Sequence, residues 1–184
     1  MEEPAPNPNA DGTSSGAELL DTESQFRLAE HFGAGPGADQ RQAMRWCLKA
    51  AERGHVEAQF HLALMYSRGK GVLCDQASAL MWLRRAAEQG HGAAQYHLGV
   101  RLHRASKSRV GLAASELRIE SLKWLQLAVA QSCQGAEGAR EFVLLGMRRD
   151  EVEQGEGLAK KCSPTPAGSG AALLIGLQAA GAFT

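Results

Sequence analysis

The chain has 184 residues, enough for one ordinary domain or a short repeat array, and its 20 basic and 20 acidic residues cancel. A net charge of zero removes any global pull towards nucleic acid or an anionic membrane, so neither is an expected partner. No apolar run reaches the roughly 18 residues of a membrane span, and the N-terminus lacks the basic and apolar regions of an export signal. A cytoplasmic chain with reduced thiols is therefore expected, and its cysteines show no C-x-x-C spacing.

Residues 1–18 are rich in Pro, Asn, Gly and Ser and carry acids but no bases, the composition of a disordered acidic tail. From residue 19 the chain becomes periodic. Trp46 and Trp82 lie 36 positions apart and Trp124 follows 42 later. Around each tryptophan the neighbours recur at fixed offsets. A small residue stands three before it (Ala43, Ala79, Ser121), and four after it begins Ala50-Ala51, Ala86-Ala87 or Ala128-Val129. Twelve after it is an alanine (Ala58, Ala94, Ala136). The first two periods add Gly54 and Gly90 eight after the tryptophan and Asp39 and Asp75 seven before it, so "AAERGH" is followed by "AAEQGH".

Each period holds two helical patterns. "HVEAQFHLALMYSRG" places Ala58, Leu62, Ala63 and Tyr66 on one face. "DQASALMWLRRAAEQG" runs from Asp75, an expected N-cap, to Gly90, an expected C-cap, and "GKGV" between the two patterns reads as a flexible turn. One such helix pair cannot bury its apolar stripe alone, whereas stacked pairs can. The expected fold is all-α, a right-handed α-solenoid of helix-turn-helix repeats.

Tyr66, Gly69, Gly71, Val72, Asp75, Ala79, Trp82, Ala86, Ala87 and Gly90 together read "Y..G.GV..D...A..W...AA..G". This pattern resembles the Sel-one-like repeat, a relative of the tetratricopeptide repeat. The match is nearly complete over 56–91. It is good over 22–55, where Phe32 replaces the tyrosine, and partial over 92–134. In that third unit Leu102 takes the tyrosine place, the glycine pair and aspartate are missing, and the turn carries about six extra residues. A degenerate fourth unit begins at 136, so the array is expected over 19–147. Residues 148–162 resemble the polar capping helix of bacterial arrays of this type, and "SPTPAGSG" then links to a short apolar tail within 163–184.

Chemistry is sparsely signalled. Lys70 in "GKG" is followed by Gly71 rather than Ser or Thr and no strand pattern precedes it, so a phosphate loop is not expected. His91, His97 and His103 fall six apart, not at the i, i+4 spacing of a zinc-binding helix. Cys47 beside Trp46 reads as an inert core thiol, and the three tryptophans read as core wedges. No cofactor or catalytic group is expected. "RLHRASKSR", from Arg101 to Arg109, is the one local basic stretch and is expected to occupy the enlarged third turn.

The resemblance implies a non-catalytic scaffold, a monomer that binds a protein or peptide. It also implies that the first helix of each pair lines the concave side. Aligning Phe26, Phe60 and Tyr96 puts Arg27, His61 and His97 in one register, with Leu64 and Val100 a turn further on as an apolar strip and Arg101 and Arg104 beyond. Two alternatives stand beside this reading: a regulatory or hydrolytic enzyme using the groove histidines, and weak binding of nucleic acid or an acidic partner through the basic stretch 101–109. For stability, Trp82→Ala is expected to cost about 3–5 kcal/mol, the range for truncating a buried aromatic. Thermal melting of the variant checks it, and a melting point within about a degree of the parent would refute the core assignment.

Overall fold

The computed structural model describes residues 21–34 and 38–162, and the segments 1–18 and 163–184 lie outside the described residues. Within them the regular structure is helical throughout: α1 (Thr22–Gly33), α2 (Gln40–Glu52), α3 (Val56–Arg68), α4 (Gln76–Glu88), α5 (Gly92–Ser106), α6 (Leu112–Ala130), α7 (Ala136–Leu144) and α8 (Arg149–Cys162). Successive helices pack on one another from α1 to α7, and α8 returns to α6. The first helices α1, α3 and α5 also meet side by side through Phe26–His61 and Phe60–His97 ring contacts. The second helices α4 and α6 are tied by an Arg84–Glu120 ion pair of 2.6 Å.

Helix starts follow local chemistry. The carboxylates of Asp21, Asp39 and Asp75 accept from main-chain N–H groups of the first turns of α1, α2 and α4, meeting donors that a helix N-terminus otherwise leaves unpaired. Between helices the small residues do the packing. Ala50, Ala58, Ala86, Ala94 and Ala128 are wholly buried, with Leu62, Leu98 and Leu125 filling the space around them. Trp82 and Trp124 are buried as expected. Trp46 is only partly buried, packed against the same core cluster. Cys47 is buried, its Sγ bonds the Ala58 carbonyl at 3.2 Å, and burial pushes its thiol up to about 12, so it is an inert core group.

The "GKGV" turn is held by main-chain hydrogen bonds and a close contact. Gly69 ends α3 in the left-handed region, Lys70 N–H donates to the Met65 carbonyl, and Asp75 N–H donates to the Tyr66 carbonyl. Gly71 has φ +71° and lies so close to α2 that a Cβ there would fall 2.0 Å from the Gln40 carbonyl oxygen. Glycine is required by conformation and by space, and this contact locks the turn of the second repeat onto the preceding one.

The third repeat uses its extra residues differently from the expectation. Arg101–Ser106 continues α5 rather than forming the turn, because Leu102 and Ser106 keep the buried face and no glycine stops the helix. Only residues 107–111 connect α5 to α6. With the aspartate gone, α6 begins at Gly111 without a side-chain cap.

Residues 136–162 supply two helices that rest chiefly on α6 rather than on each other. Gly155 lets α8 approach α6 closely, since a Cβ there would lie 2.9 Å from Leu122 Cδ2. The anchor is Glu151, only 1% exposed. Its carboxylate accepts from Arg118 and Ser115 of α6 and from the Arg148 N–H at 3.0 Å. The Arg118 hydrogen bond is the largest of the influences that hold the Glu151 carboxyl at about 2, against an ordinary 4.5. A carboxyl depressed on folding stabilises the protein above its unfolded pKa and loses that contribution as pH falls through the folded value. The anchor thus stabilises the fold at neutral pH and loses that contribution as pH falls from about 5 towards 2. Glu151→Gln is expected to lower stability by about 1.5–3 kcal/mol at pH 7, the range for a hydrogen bond to a charged group, and to converge on the parent in acid, as read by denaturant melts across pH.

Candidate functional site

The repeated hexapeptide forms the joint between repeats. At the end of α4, Gly90 N–H donates to the Ala87 carbonyl and His91 N–H to the Ala86 carbonyl, both at 3.0 Å. At the end of α2, Gly54 and His55 make the same pair to Ala51 and Ala50 at 3.1 Å. Gly54 and Gly90 hold φ of +91° and +89°, which completes a Schellman motif. The C-caps are therefore Arg53 and Gln89, and each glycine stands one residue beyond.

The histidine after each glycine begins the next helix. His55 Nδ1 accepts from Ala58 N–H at 3.2 Å, and His91 Nδ1 accepts from Ala94 N–H at 3.0 Å. With Nδ1 an acceptor, the ring proton sits on Nε2 and is donated to a carboxylate of the preceding repeat. His55 reaches Glu23 at 3.0 Å and His91 reaches Glu57 at 2.8 Å. Each imidazole also lies against the aromatic ring of the preceding repeat, His55 on Phe26 at 4.8 Å and His91 on Phe60 at 4.6 Å between centroids. These histidines are structural joints. In the third repeat Ser132 and Cys133 replace the Gly-His pair, Ser132 takes φ +55°, and the carboxylate–imidazole link is absent.

The groove lies along the first helices. His61 sets its edge against Phe26 at 5.2 Å and Phe60 at 6.1 Å, and His97 tilts over Phe60 at 5.7 Å and meets Tyr96 at 5.4 Å. Imidazole and aromatic rings thus alternate across α1, α3 and α5. Burial first, then the Arg101 and Arg68 charges, lowers the His97 pKa below its ordinary value, which favours the neutral ring. Two cavities open on this face. One, about 400 Å³, lies between α1 and α3 and is lined by Phe26, Glu30, His61, Leu64 and Arg68 among others. The other, about 420 Å³, lies between α5 and α7 and is lined by Tyr96, Val100, His103, Arg104 and Phe142 among others. Both occupy the same repeat register: Phe26, Glu30 and Cys47 of the first correspond to Tyr96, Val100 and Leu125 of the second. Between them Arg101 bridges back to Ser67 Oγ at 2.6 Å and Gln76 Oε1 at 3.0 Å, closing the intervening position.

The residues singled out from sequence fall as follows. His61 and Leu64 line the first cavity, Val100 and Arg104 line the second, and His97 and Arg101 stand between. Arg27 shares their register but is exposed, pairs with Glu23 of its own helix at 3.1 Å and lines neither cavity. No group of three His, Cys, Asp or Glu side chains among the described residues is placed to hold a metal ion.

Sequence reading missed a buried polar ladder. Gln59 Nε2 donates to the Ala51 carbonyl at 3.2 Å and Gln95 Nε2 donates to the Ala87 carbonyl at 3.1 Å. Their side-chain oxygens accept from Gln89 at 2.7 Å and Gln131 at 2.9 Å. The signal was present: Gln25, Gln59 and Gln95 each precede the aligned aromatic residue, and a buried amide at a fixed register must be hydrogen-bonded.

Stacked helix pairs with equivalent joints define an α-solenoid, a class whose exposed product is an extended surface rather than a closed pocket. The Sel1 repeat profile matches residues 22–55, 56–91 and 92–133. The chain belongs to the Sel1 repeat family, whose members generally mediate protein–protein interaction. Among solved structures it is similar to c5321, a protective antigen of uropathogenic Escherichia coli with an SLR fold. That match has 29% identity and a TM-score of 0.67, covering 79% of this chain and 30% of that one. It is also similar to a Sel1 repeat protein of Oxalobacter formigenes, at 27% identity and TM-score 0.58, covering 72% of this chain and 51% of the other. The chain thus spans about a third to a half of the length of these relatives. No curated protein sequence matches it. None of the described helices is long and apolar enough to cross a membrane.

The joint is open to direct test. His91→Ala is expected to cost about 1–2 kcal/mol by removing the cap, whereas His91→Asn, which can still cap, recovers most of it. Thermal melts of the pair check this, and equal losses in both would deny the capping role.

Proposed function

We propose that the chain is a non-catalytic scaffold that binds a protein segment along the face formed by α1, α3, α5 and α7. The observation that carries this reading is the pair of cavities in equivalent register, two repeats apart. Adjacent helices in a packed row stand about 8–10 Å apart, so the cavities are separated by roughly 20 Å. About six extended residues span that distance, so one peptide can place a side chain in each. The ring ladder between them offers flat, half-buried faces with polar edges, a surface that suits peptide side chains better than reaction chemistry. A hydrolytic role would need a nucleophile and base converging with a stabilising group. Here His55 and His91 are engaged as caps, and Cys47 is buried against the Ala58 carbonyl.

In this reading the repeat units 22–55, 56–91 and 92–133 supply the surface. Helix α8 covers the end of the second-helix row as a cap, and the protein acts as a monomer within the cytoplasm. Selection of a mixed-charge peptide library on the full chain is expected to enrich ligands that compete with one another. Their affinity is expected to fall by about 1–3 kcal/mol in His61→Ala/His97→Ala, with melting unchanged. Arg27→Ala, outside both cavities, is expected to leave affinity unaltered. Ligands indifferent to the histidine pair would remove the groove from the site.

A further inference from the structure

The two cavities differ in charge, and the difference points to the chemistry of the occupant. Glu30 is the one carboxylate among the residues lining either cavity, and it belongs to the first. The second is lined by Arg104, Lys107 and His103 over an apolar floor of Val100, Leu125 and Phe142. Glu137 and Glu141 of α7 do not line it. Among the described residues no carboxylate pairs with Arg104 or Lys107, and Arg68, Lys70 and Arg101 towards the first cavity are equally without one. Five uncompensated cations therefore run along the C-terminal ends of α3 and α5 and the turn after α3, although the chain as a whole is neutral.

The floor shows a complementary want. Phe142 is 57% exposed, an unusual state for a ring of that size, and Lys107 Nζ lies 4.8 Å over it. His103 meets the Phe142 edge at 5.5 Å, and both its ring nitrogens are shielded from solvent with no hydrogen-bond partner. Burial first, then Lys107 and Arg118, lowers the His103 pKa, as expected of an imidazole in cationic surroundings. Gly138 of α7 lines the same cavity, and a Cβ there would meet nothing within 4 Å.

We infer that the cleft between α5 and α7 docks an acidic segment of a separate protein, one carrying a bulky apolar side chain among its carboxylates. The apolar side chain fills the space over Val100, Leu125 and Phe142, while flanking carboxylates meet Arg104 and Lys107, and Arg101 extends the cationic track towards the first cavity. This rests on the peptide-binding reading above and adds the chemistry and the anchor position of the ligand.

The test uses the full chain and labelled synthetic peptides in fluorescence anisotropy. One peptide is acidic with a central Phe, one replaces its acids by the corresponding amides, and one keeps the acids but replaces Phe by Ala. The acidic Phe peptide is expected to bind at least about tenfold more tightly than either control and to weaken as salt rises. Arg104→Glu/Lys107→Glu is expected to abolish the preference for acids, and Gly138→Leu, which fills the cavity from an open position on a helix, to abolish the preference for Phe. Arg149→Glu on α8 is the control and leaves binding unchanged, with melts confirming that each variant is folded.

Equal affinity for the acidic and amide peptides, or indifference to both cleft variants, overturns the inference. Library selection separates this failure from that of the scaffold reading: neutral or basic ligands that still depend on His61 and His97 overturn only the acidic assignment, and no enrichment at all overturns both. A tenfold gain in affinity on deleting residues 1–18 would make the chain's own acidic segment the occupant. Self-association lost in Arg104→Glu/Lys107→Glu would make it a second copy. Either result overturns assignment to a separate partner.

Discussion

Everything in this molecule is hung on the Gly-His joint. Six residues end one helix, reverse the chain through a left-handed glycine, cap the next helix with an imidazole and tie that imidazole to the repeat before. Because the glycine fixes where the histidine stands, the angle between helix pairs is set by main-chain geometry. Because the histidine reaches back to Glu23 or Glu57, the same six residues also set the separation between first helices. The buried Gln59 and Gln95 amides add a second tie at the same level, bonding carbonyls of the preceding second helix. A slip of one residue would leave these amides unpaired in a dry interface, which costs more than the bonds themselves contribute. Register is thus enforced by polar groups while the alanines allow the close approach.

Where the joint keeps its main-chain bonds but loses its histidine, the architecture changes. Ser132 and Cys133 cannot cap or reach back as the Gly-His pair does, and the aromatic register there offers Tyr96 rather than Phe. Beyond that point the chain no longer adds a helix pair in the same way. Helices α7 and α8 each settle on the long α6, and stability moves from a repeated polar joint to one buried ion pair, Glu151 with Arg118. The end of the solenoid is therefore pH-sensitive in acid at a single carboxylate.

The groove follows from the same construction. Side chains on first helices stand in a row because the joints hold those helices in register, so ring edges, cavities and cations recur at the repeat interval. The departures from strict repetition make the surface selective. Arg101 takes the place of Met65 and closes the middle position, while Val100 and His103 replace Glu30 and Gly33 and turn the second cavity apolar and cationic.

The sequence by itself determined the helix pairs, their order and the family resemblance, because small residues, capping aspartates and turn glycines each answer to local geometry that one period of text contains. It also placed Arg27, His61 and His97 in one register and Leu64 and Val100 in another a turn further on. Only tertiary structure decided what the repeated His55 and His91 are for, since their roles appear when Ala58, Ala94, Glu23 and Glu57 are brought beside them. It decided likewise that Gly71 is in close contact with α2, that Arg101–Ser106 is helix rather than turn, and that Arg27 stands outside both cavities. The reason is common to all of these. Periodicity reports which residues share a face, but burial, hydrogen bonding and cavity shape depend on the neighbouring repeat, and that neighbour lies about 36 residues away in the chain and one helix diameter away in space.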